Sequence, residues 1–196
     1  MQTYSHVLMT AALNGGLKAR GIPVHTKALL LGSFMPDLPL FGLTLGYLLY
    51  RYWFDPAGSG EHLFGPRYDN LYFHNPFWLT GHNLLHAPVL LSIMALAGYY
   101  AGLRRQKKWG TALFWFAAAC GFHALVDILT HHDDGPLLFF PFNWSYRFSA
   151  PVSYWDSRHG GRIFAPLEHL LDLAILVYFA VTWLRNRKTL NLWERR

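Results

Sequence analysis

Long apolar runs constrain the fold of this chain more than any other feature of its sequence. Three uninterrupted runs have near-spanning length, at Leu84–Leu103, Thr111–Leu129 and Pro166–Leu184. A fourth run, Ala28–Tyr50, is interrupted by Pro36-Asp37-Leu38-Pro39. A helix of about 20 apolar residues crosses a bilayer, and 53% of this chain is hydrophobic against 14% charged. The sequence therefore predicts an all-α integral membrane bundle of about four spans, in one domain that covers residues 1–196.

The basic residues lie in three clusters that alternate with the predicted spans. They are Lys18, Arg20 and Lys27, then Arg104, Arg105, Lys107 and Lys108, then Arg185, Arg187, Lys188, Arg195 and Arg196. With four spans all three clusters fall on one side, which the positive-inside rule makes cytoplasmic. We expect a multi-pass inner-membrane protein with both termini in the cytoplasm. This distribution accounts for the net charge of +6 without a nucleic-acid partner, since no basic residues interleave with aromatics on one surface.

The remaining segments carry weaker signals. Residues 3–15 have a helical pattern that ends at Asn14-Gly15-Gly16, where the glycines favour a stop. We expect an interfacial or partly inserted helix there. Residues 51–81 and 130–165 are rich in aromatic residues, Gly and Pro, which predicts irregular loops at the level of the lipid head groups.

Histidines and carboxylates collect at one end of the predicted spans. The second run begins with His82 and His86, the third ends with His123 and Asp127, and the fourth begins with Glu168, His169 and Asp172. Because successive spans are antiparallel, all of these residues lie at the same, non-cytoplasmic end. His131, His132, Asp133 and Asp134 follow on that side. Ionisable groups within spans are rare, and they mark functional sites by default.

This combination of groups favours a metal site. Imidazole and carboxylate are zinc ligands, and an open coordination position lets the ion activate water. Residues four apart share a helix face, so His82 with His86, and His123 with Asp127, can each chelate one ion. We predict a divalent ion, with zinc as the first choice. Its ligands are drawn from His6, Asp37, His82, His86, His123, Asp127, His131, His132, His169 and Asp172.

Two of these candidates depend on how the chain inserts. Asp37 lies between Pro36 and Pro39, which should break the helix at about mid-membrane, and broken helices at that depth line cavities. His6 joins the site only if residues 3–15 insert. Each predicted site residue also has a structural alternative. His123 with Asp127 could be an interhelical hydrogen-bonded pair. Glu168 could equally be a carboxylate that stabilises the helix dipole at the N-terminus, a metal ligand or a base.

At these residues the chain resembles the YdjM-like, membrane-bound, predicted metal-dependent hydrolases. The resemblance rests on the pattern His123-x3-Asp127-x2-Thr130-x4-Gly135-x5-Pro141-Phe142. It extends to Ser5-His6, to Pro36-Asp37 closing an early apolar helix, and to the histidine pair before a middle span. That family is in turn similar to the zinc-dependent phospholipase C and single-strand nuclease superfamily. Those proteins are all-α enzymes whose zinc cluster is held by His and Asp.

The resemblance and the membrane location together imply a membrane-bound metal-dependent hydrolase. Its substrate would be a phosphoester or lipid-linked ester, attacked by metal-activated water, and its partners would be membrane lipids. Asp133, Asp134 or Glu168 would act as general base or hold the attacking water. Two alternatives stay open: a non-catalytic membrane protein tied together by a metal or polar network, and a small ion or solute transporter.

Overall fold

The fold is all-α, as predicted. The computed structural model describes residues 1–55 and 62–193, so residues 194–196 and part of the 51–81 segment lie outside the described residues, and with them Arg195 and Arg196. The helices are α1 (Thr3–Ala19), α2 (Thr26–Phe34), α3 (Asp37–Phe54), α4 (Pro66–His74), α5 (Pro76–Asn83), α6 (Pro88–Gly98), α7 (Lys108–Thr130) and α8 (Gly161–Trp193). A π-helical turn, Tyr99–Arg104, extends α6, and a short 3-10 turn, Ser157–His159, precedes α8.

Local sequence explains where several helices begin. Helices α4, α5 and α6 each have proline in the first turn, where the missing N–H is not needed and φ is already helical. Asn75 also caps α5, because its side-chain oxygen accepts hydrogen bonds from the N–H groups of Phe77 and Trp78. These start signals make the predicted irregular loop over 51–81 wrong for most of its described length. Helix α3 continues to Phe54, α4 covers Pro66–His74, and α5 begins at Pro76.

Within residues 1–55 and 62–193, three helical segments are long and apolar enough to cross a membrane, at Thr26–Phe54, Lys108–Thr130 and Gly161–Arg187. The segments Pro76–Asn83 and Pro88–Gly102 form a fourth only as a pair, because they are bent by 42° at the break between them. The first segment is itself divided: α2 ends at Phe34 and α3 begins at Asp37, just after Pro36. Both breaks bring polar residues to positions inside apolar segments.

Helix α7 lies at the centre of the bundle and packs against α2 and α6. Small residues permit this close approach. A Cβ added at Gly32 would lie 2.4 Å from the Phe116 backbone oxygen, and one at Gly98 would lie 2.4 Å from the Phe114 nitrogen. Helix α8 packs mainly on α1. It leaves large apolar side chains such as Ile163 mostly exposed, as expected for a surface that faces lipid.

Helix α1 is longer than the sequence indicated. It continues through Gly15 and Gly16 to Ala19, and the chain turns at Gly21, whose φ is +74°. The predicted stop at Asn14-Gly15-Gly16 is therefore wrong. A helical glycine costs about 1 kcal/mol relative to alanine, and tertiary packing of α1 on α2 and α8 outweighs that cost. Asn14 adds a hydrogen bond from the Thr26 hydroxyl, at 3.2 Å, which ties α1 to the start of α2.

Candidate metal centre

Four side chains from three different parts of the chain converge where the start of α3, the α5–α6 break and the last turns of α7 meet. They are Asp37, in the first turn of α3; His86, in the break between α5 and α6; and His123 with Asp127, on α7. One ligand atom from each lies within 4.8 Å of the ligand atoms of all the others. The two helix breaks and the i,i+4 spacing on α7 are therefore what brings the group together.

The separations within this group match the edges of a metal coordination shell. The Nε2 atom of His123 lies 3.2 Å from Asp37 Oδ1 and 3.1 Å from Asp127 Oδ2. The Nε2 atom of His86 lies 3.6 Å and 3.5 Å from the same two oxygens. Ligand atoms about 2.0–2.1 Å from a tetrahedral zinc ion lie about 3.3 Å apart. The four imidazole–carboxylate separations are thus close to those around one ion, and all four atoms lie within 4.8 Å of one another.

Hydrogen bonds on the far side of each imidazole fix its orientation. His123 donates its Nδ1–H to the Ser33 carbonyl at 2.8 Å, and His86 donates its Nδ1–H to the His82 carbonyl at 2.6 Å. Both rings therefore present an unprotonated Nε2 toward the carboxylates when neutral. The Nε2 atom of His123 is buried and has no hydrogen-bond partner among the described residues. Outer hydrogen bonds of this kind accompany metal-ligating histidines, so the residues present fit a divalent ion.

Helix α1 brings His6 to the same place. His6 is fully buried, its Nε2 lies 3.0 Å from Asp127 Oδ1, and its ring stacks on His123 at 3.7 Å between centroids. Burial lowers the pKa of His6 more than the Asp127 carboxylate raises it, which favours a neutral imidazole. Two further contacts hold the start of α1 here. The Thr3 hydroxyl donates to Asp37 Oδ2 at 2.5 Å, and the Met1 nitrogen donates to Asp127 Oδ1 at 3.0 Å.

The residues that follow α7 divide between the site and the surface. His131 lies beside the group, with Nε2 at 3.7 Å from Asp127 Oδ1 and Nδ1 at 3.1 Å from Asp134 Oδ1. Burial raises the pKa of Asp134, but contact with His131 and the other attractive interactions outweigh burial and leave the pKa lowered. His132 points elsewhere: it stacks on His159 at 3.6 Å between centroids. Asp133 is exposed.

The polar residues at the start of α8 contact α1 and not the four-residue group. Glu168 is buried and accepts a hydrogen bond from the Gln2 backbone N–H at 2.8 Å. Asp172 is also buried and accepts from the Ser5 hydroxyl at 2.8 Å. The His169 side chain is 51% exposed and lies 3.1 Å from the Tyr4 hydroxyl oxygen. These contacts anchor α1, which in turn positions His6.

His82 is one turn before His86 but stays outside the four-residue group. Its ring centroid lies 4.8 Å from that of His86 and 5.2 Å from that of Tyr72. Its Nδ1 is buried without a hydrogen-bond partner in the described part of the chain. The i,i+4 pair predicted to chelate one ion is thus split, because the chain leaves the helical path after Asn83.

A cavity of about 780 Å³ adjoins the group, and Asp37, Asp127, His131 and His82 contribute to its wall. Two residues that contact the group, Thr3 on Asp37 and Ser33 on His123, are not among the candidates predicted from the sequence. Thr3 carried a weak signal as a hydroxyl residue three positions before His6 in the chain. Ser33 carried none, because it acts through its backbone carbonyl, which any residue supplies.

The comparisons with known proteins identify the family. No curated protein and no solved structure matches the chain. A family model, described as YdjM inner membrane protein, matches residues 1–193. This match and the apolar helices make the chain a membrane protein. The chain belongs to the YdjM inner membrane protein family.

Proposed function

We propose that this protein is a membrane-bound metal-dependent hydrolase that acts on a phosphoester or lipid-linked ester. The observation that carries the proposal is the group of Asp37, His86, His123 and Asp127, of which the last three are buried, in contact with a cavity of about 780 Å³. A bound divalent ion, with zinc as the first choice, would supply Lewis-acid activation of water and of the ester oxygen. The protein supplies the ligand set, its orientation and the space for substrate.

The remaining polar residues suggest a division of roles. Asp133 and Asp134 line the cavity, which supports them as groups that accept or hold the proton released by water. The contact between Asp134 and His131 offers a route for that proton to a second base. Glu168 is hydrogen-bonded to α1, which supports a positioning role for it over a direct role in catalysis.

The cavity favours catalysis over a purely structural metal. A structural zinc site is closed by four protein ligands and has no room for water. Here two of the four candidate ligands, Asp37 and Asp127, form part of the cavity wall. A transporter would distribute polar groups across the whole membrane thickness, whereas these residues converge at one place.

The proposed topology has four spans, with the bent α5–α6 pair counted as one, and both termini in the cytoplasm. Three observations support it: the apolar helices, the basic residues between α6 and α7, and those near the end of α8. The four-residue group then lies below the outer surface of the membrane.

Elemental analysis of detergent-purified protein tests the proposal. We expect about one equivalent of zinc or another transition metal in the wild type, and its loss in a His123→Ala/Asp127→Ala variant. His169→Ala is the matched control, because this side chain is half exposed and outside the group. The metal-loaded protein should hydrolyse bis(p-nitrophenyl) phosphate, and the double variant should not. Absence of metal from the wild type after reconstitution with zinc and manganese would refute the hydrolase.

A further inference from the structure

In the described residues, the end of the bundle opposite the four-residue group carries basic and no acidic side chains. Helices α1 and α8 run in the same direction, since successive residues at the start of α1 contact successive turns of α8. Lys18 follows Ser5, and Arg185 follows Asp172, by the same length of helix, about 20 Å. These two cations therefore lie at one level, far from the four-residue group.

Helices α2 and α7 extend to the same end. Thr26, at the start of α2, donates a hydrogen bond to Asn14 on α1, and Ser33, near the end of α2, contacts His123. Lys108, the first residue of α7, lies about 22 Å along the helix from His123. The α1–α2 connection, the α6–α7 connection and the last turns of α8 thus lie together at what we call the basic end.

The positive charge of the basic end is exposed to its surroundings. No Asp or Glu occurs in residues 14–30, 98–112 or 180–193, the described segments that make up this end. Charges of one sign at this density attract ligands of the opposite sign. The basic side chains described here are all exposed: Lys18, Arg20, Lys27, Arg104, Arg105, Lys107, Lys108, Arg185 and Arg187.

The α6–α7 connection is a compact turn with a fixed backbone. The two helices approach so closely that a Cβ added at Gly102 would overlap the backbone nitrogen of Thr111. Gln106 has a φ of +53°, and the N–H of Lys107 donates to the Ala101 carbonyl at 2.9 Å. Because the backbone is already ordered, binding of an anion here costs little chain entropy. The turn carries four cations, Arg104, Arg105, Lys107 and Lys108.

Aromatic rings accompany the cations of the basic end. Tyr100 and Trp109 flank the turn and are 56% and 62% exposed. The Arg105 guanidinium donates to the Tyr100 hydroxyl at 2.7 Å and lies 5.2 Å from the centre of its ring. On α8, Arg187 lies 5.2 Å from the ring centre of Trp183. Exposed Tyr and Trp rings mark the interface in membrane proteins, so guanidinium groups held on them lie level with lipid phosphates.

We propose that the basic end binds anionic phospholipids of the adjoining leaflet, and that the α6–α7 turn is the main contact for their phosphate groups. Lys and Arg donate charge-assisted hydrogen bonds to phosphate oxygens, and basic clusters beside a membrane helix attract anionic lipids. A zwitterionic lipid has the same phosphate but adds an ammonium group that these cations repel. The inference does not depend on the hydrolase function, because it concerns a surface at the other end of the bundle.

Two phospholipids with identical acyl chains and different head-group charge test the inference. Lipid-free protein in a neutral detergent is titrated with dioleoyl phosphatidylglycerol or dioleoyl phosphatidylcholine, and native mass spectrometry gives the apparent Kd of each. We expect phosphatidylglycerol to bind at least about fivefold more tightly, the factor expected of one basic side chain near one lipid phosphate. The preference should shrink in about 0.5 M ammonium acetate, because salt screens exposed charges.

Variants of the turn locate the contact. Lys107→Gln/Lys108→Gln should reduce the preference by at least about half, whereas Lys107→Arg/Lys108→Arg keeps both charges and should retain the preference. Arg162→Gln is the control, because it removes an exposed cation at the start of α8, at the other end of the bundle, and should also retain the preference. Thermal unfolding is measured on each variant to establish that it is folded.

Equal affinity for the two lipids in the wild type overturns the proposal. So does a full preference in the folded Lys107→Gln/Lys108→Gln variant, or a preference that salt leaves unchanged. Inorganic phosphate is the last probe, and at the concentration of the lipid it should not displace phosphatidylglycerol. Displacement by phosphate would show a general anion site and would also overturn the proposal.

Discussion

Replacing Gly32 with alanine should weaken the metal centre without touching any of its ligands. A Cβ at Gly32 would lie 2.4 Å from the Phe116 backbone oxygen and 2.9 Å from the Ala119 Cβ. Real Cβ contacts almost never fall below 3.0 Å, so α2 and α7 must separate by at least about 0.6 Å. Overpacking of this kind costs about 1–3 kcal/mol. The gain of about 1 kcal/mol from replacing a helical glycine offsets part of that cost.

The same displacement reaches the metal group through the next residue. The Ser33 carbonyl accepts the Nδ1–H of His123 at 2.8 Å. A rigid shift of α2 away from α7 lengthens this bond toward about 3.4 Å, at the limit of a hydrogen bond. Loss of such a supporting bond typically lowers metal affinity by about 10–100-fold. We therefore expect at least about tenfold weaker zinc binding in Gly32→Ala, together with a lower thermal midpoint.

The assay is competition for zinc against a chromophoric chelator in detergent, with thermal unfolding measured on the same samples. A net loss of 1 kcal/mol corresponds to about 2–4 °C in a protein of this size. Gly15→Ala is the matched control, because a Cβ at Gly15 meets nothing within 4 Å. That variant should keep wild-type zinc affinity and an equal or higher midpoint. Wild-type affinity and midpoint in Gly32→Ala would refute the argument that α2–α7 packing holds His123 in place.

Three further outcomes follow from the site and its surroundings. His86→Ala should lose metal while His82→Ala retains it, as measured by elemental analysis, because only His86 belongs to the four-residue group. Asp172→Ala should destabilise the protein by about 1–3 kcal/mol in thermal or denaturant unfolding, because it leaves a buried serine hydroxyl without its acceptor; His169→Ala, half exposed, should change stability by less than about 0.5 kcal/mol. A hydrogen bond from the Arg158 side chain holds the pKa of Asp156 well below its usual range. The Asp156 carboxylate therefore stabilises the folded state at pH values above about 3.9, the pKa of aspartate in the unfolded chain. This contribution is lost as the pH falls toward the lower pKa of the folded state. The difference in thermal midpoint between wild type and Asp156→Asn should accordingly be present at pH 7 and shrink below pH about 4; a pH-independent difference would contradict this.

Much of the architecture could be predicted from the order of residues, because hydropathy and helix breaking act locally. A run of apolar residues must satisfy its backbone hydrogen bonds internally in a membrane, which leaves the helix as the available form. Pro36 similarly predicts the break that places Asp37 at the start of a new helix. Two predictions were wrong. At Gly15-Gly16, tertiary packing of α1 outweighed the tendency of glycine to end a helix. Over 51–81, prolines in the first turns of α4 and α5 start helices in a segment whose composition predicts a loop.

The order of residues is enough to show that histidines and carboxylates collect near the ends of apolar helices, and that His123 and Asp127 share one face of α7. Which of the other candidates join them depends on helix packing. His86 enters the group and His82 does not, because the chain breaks between α5 and α6. His6 reaches Asp127 because Glu168 and Asp172 anchor α1 against the bundle. The physical reason is that helical periodicity constrains residues within a few turns, whereas contacts between α1, α3 and α7 depend on how whole helices pack.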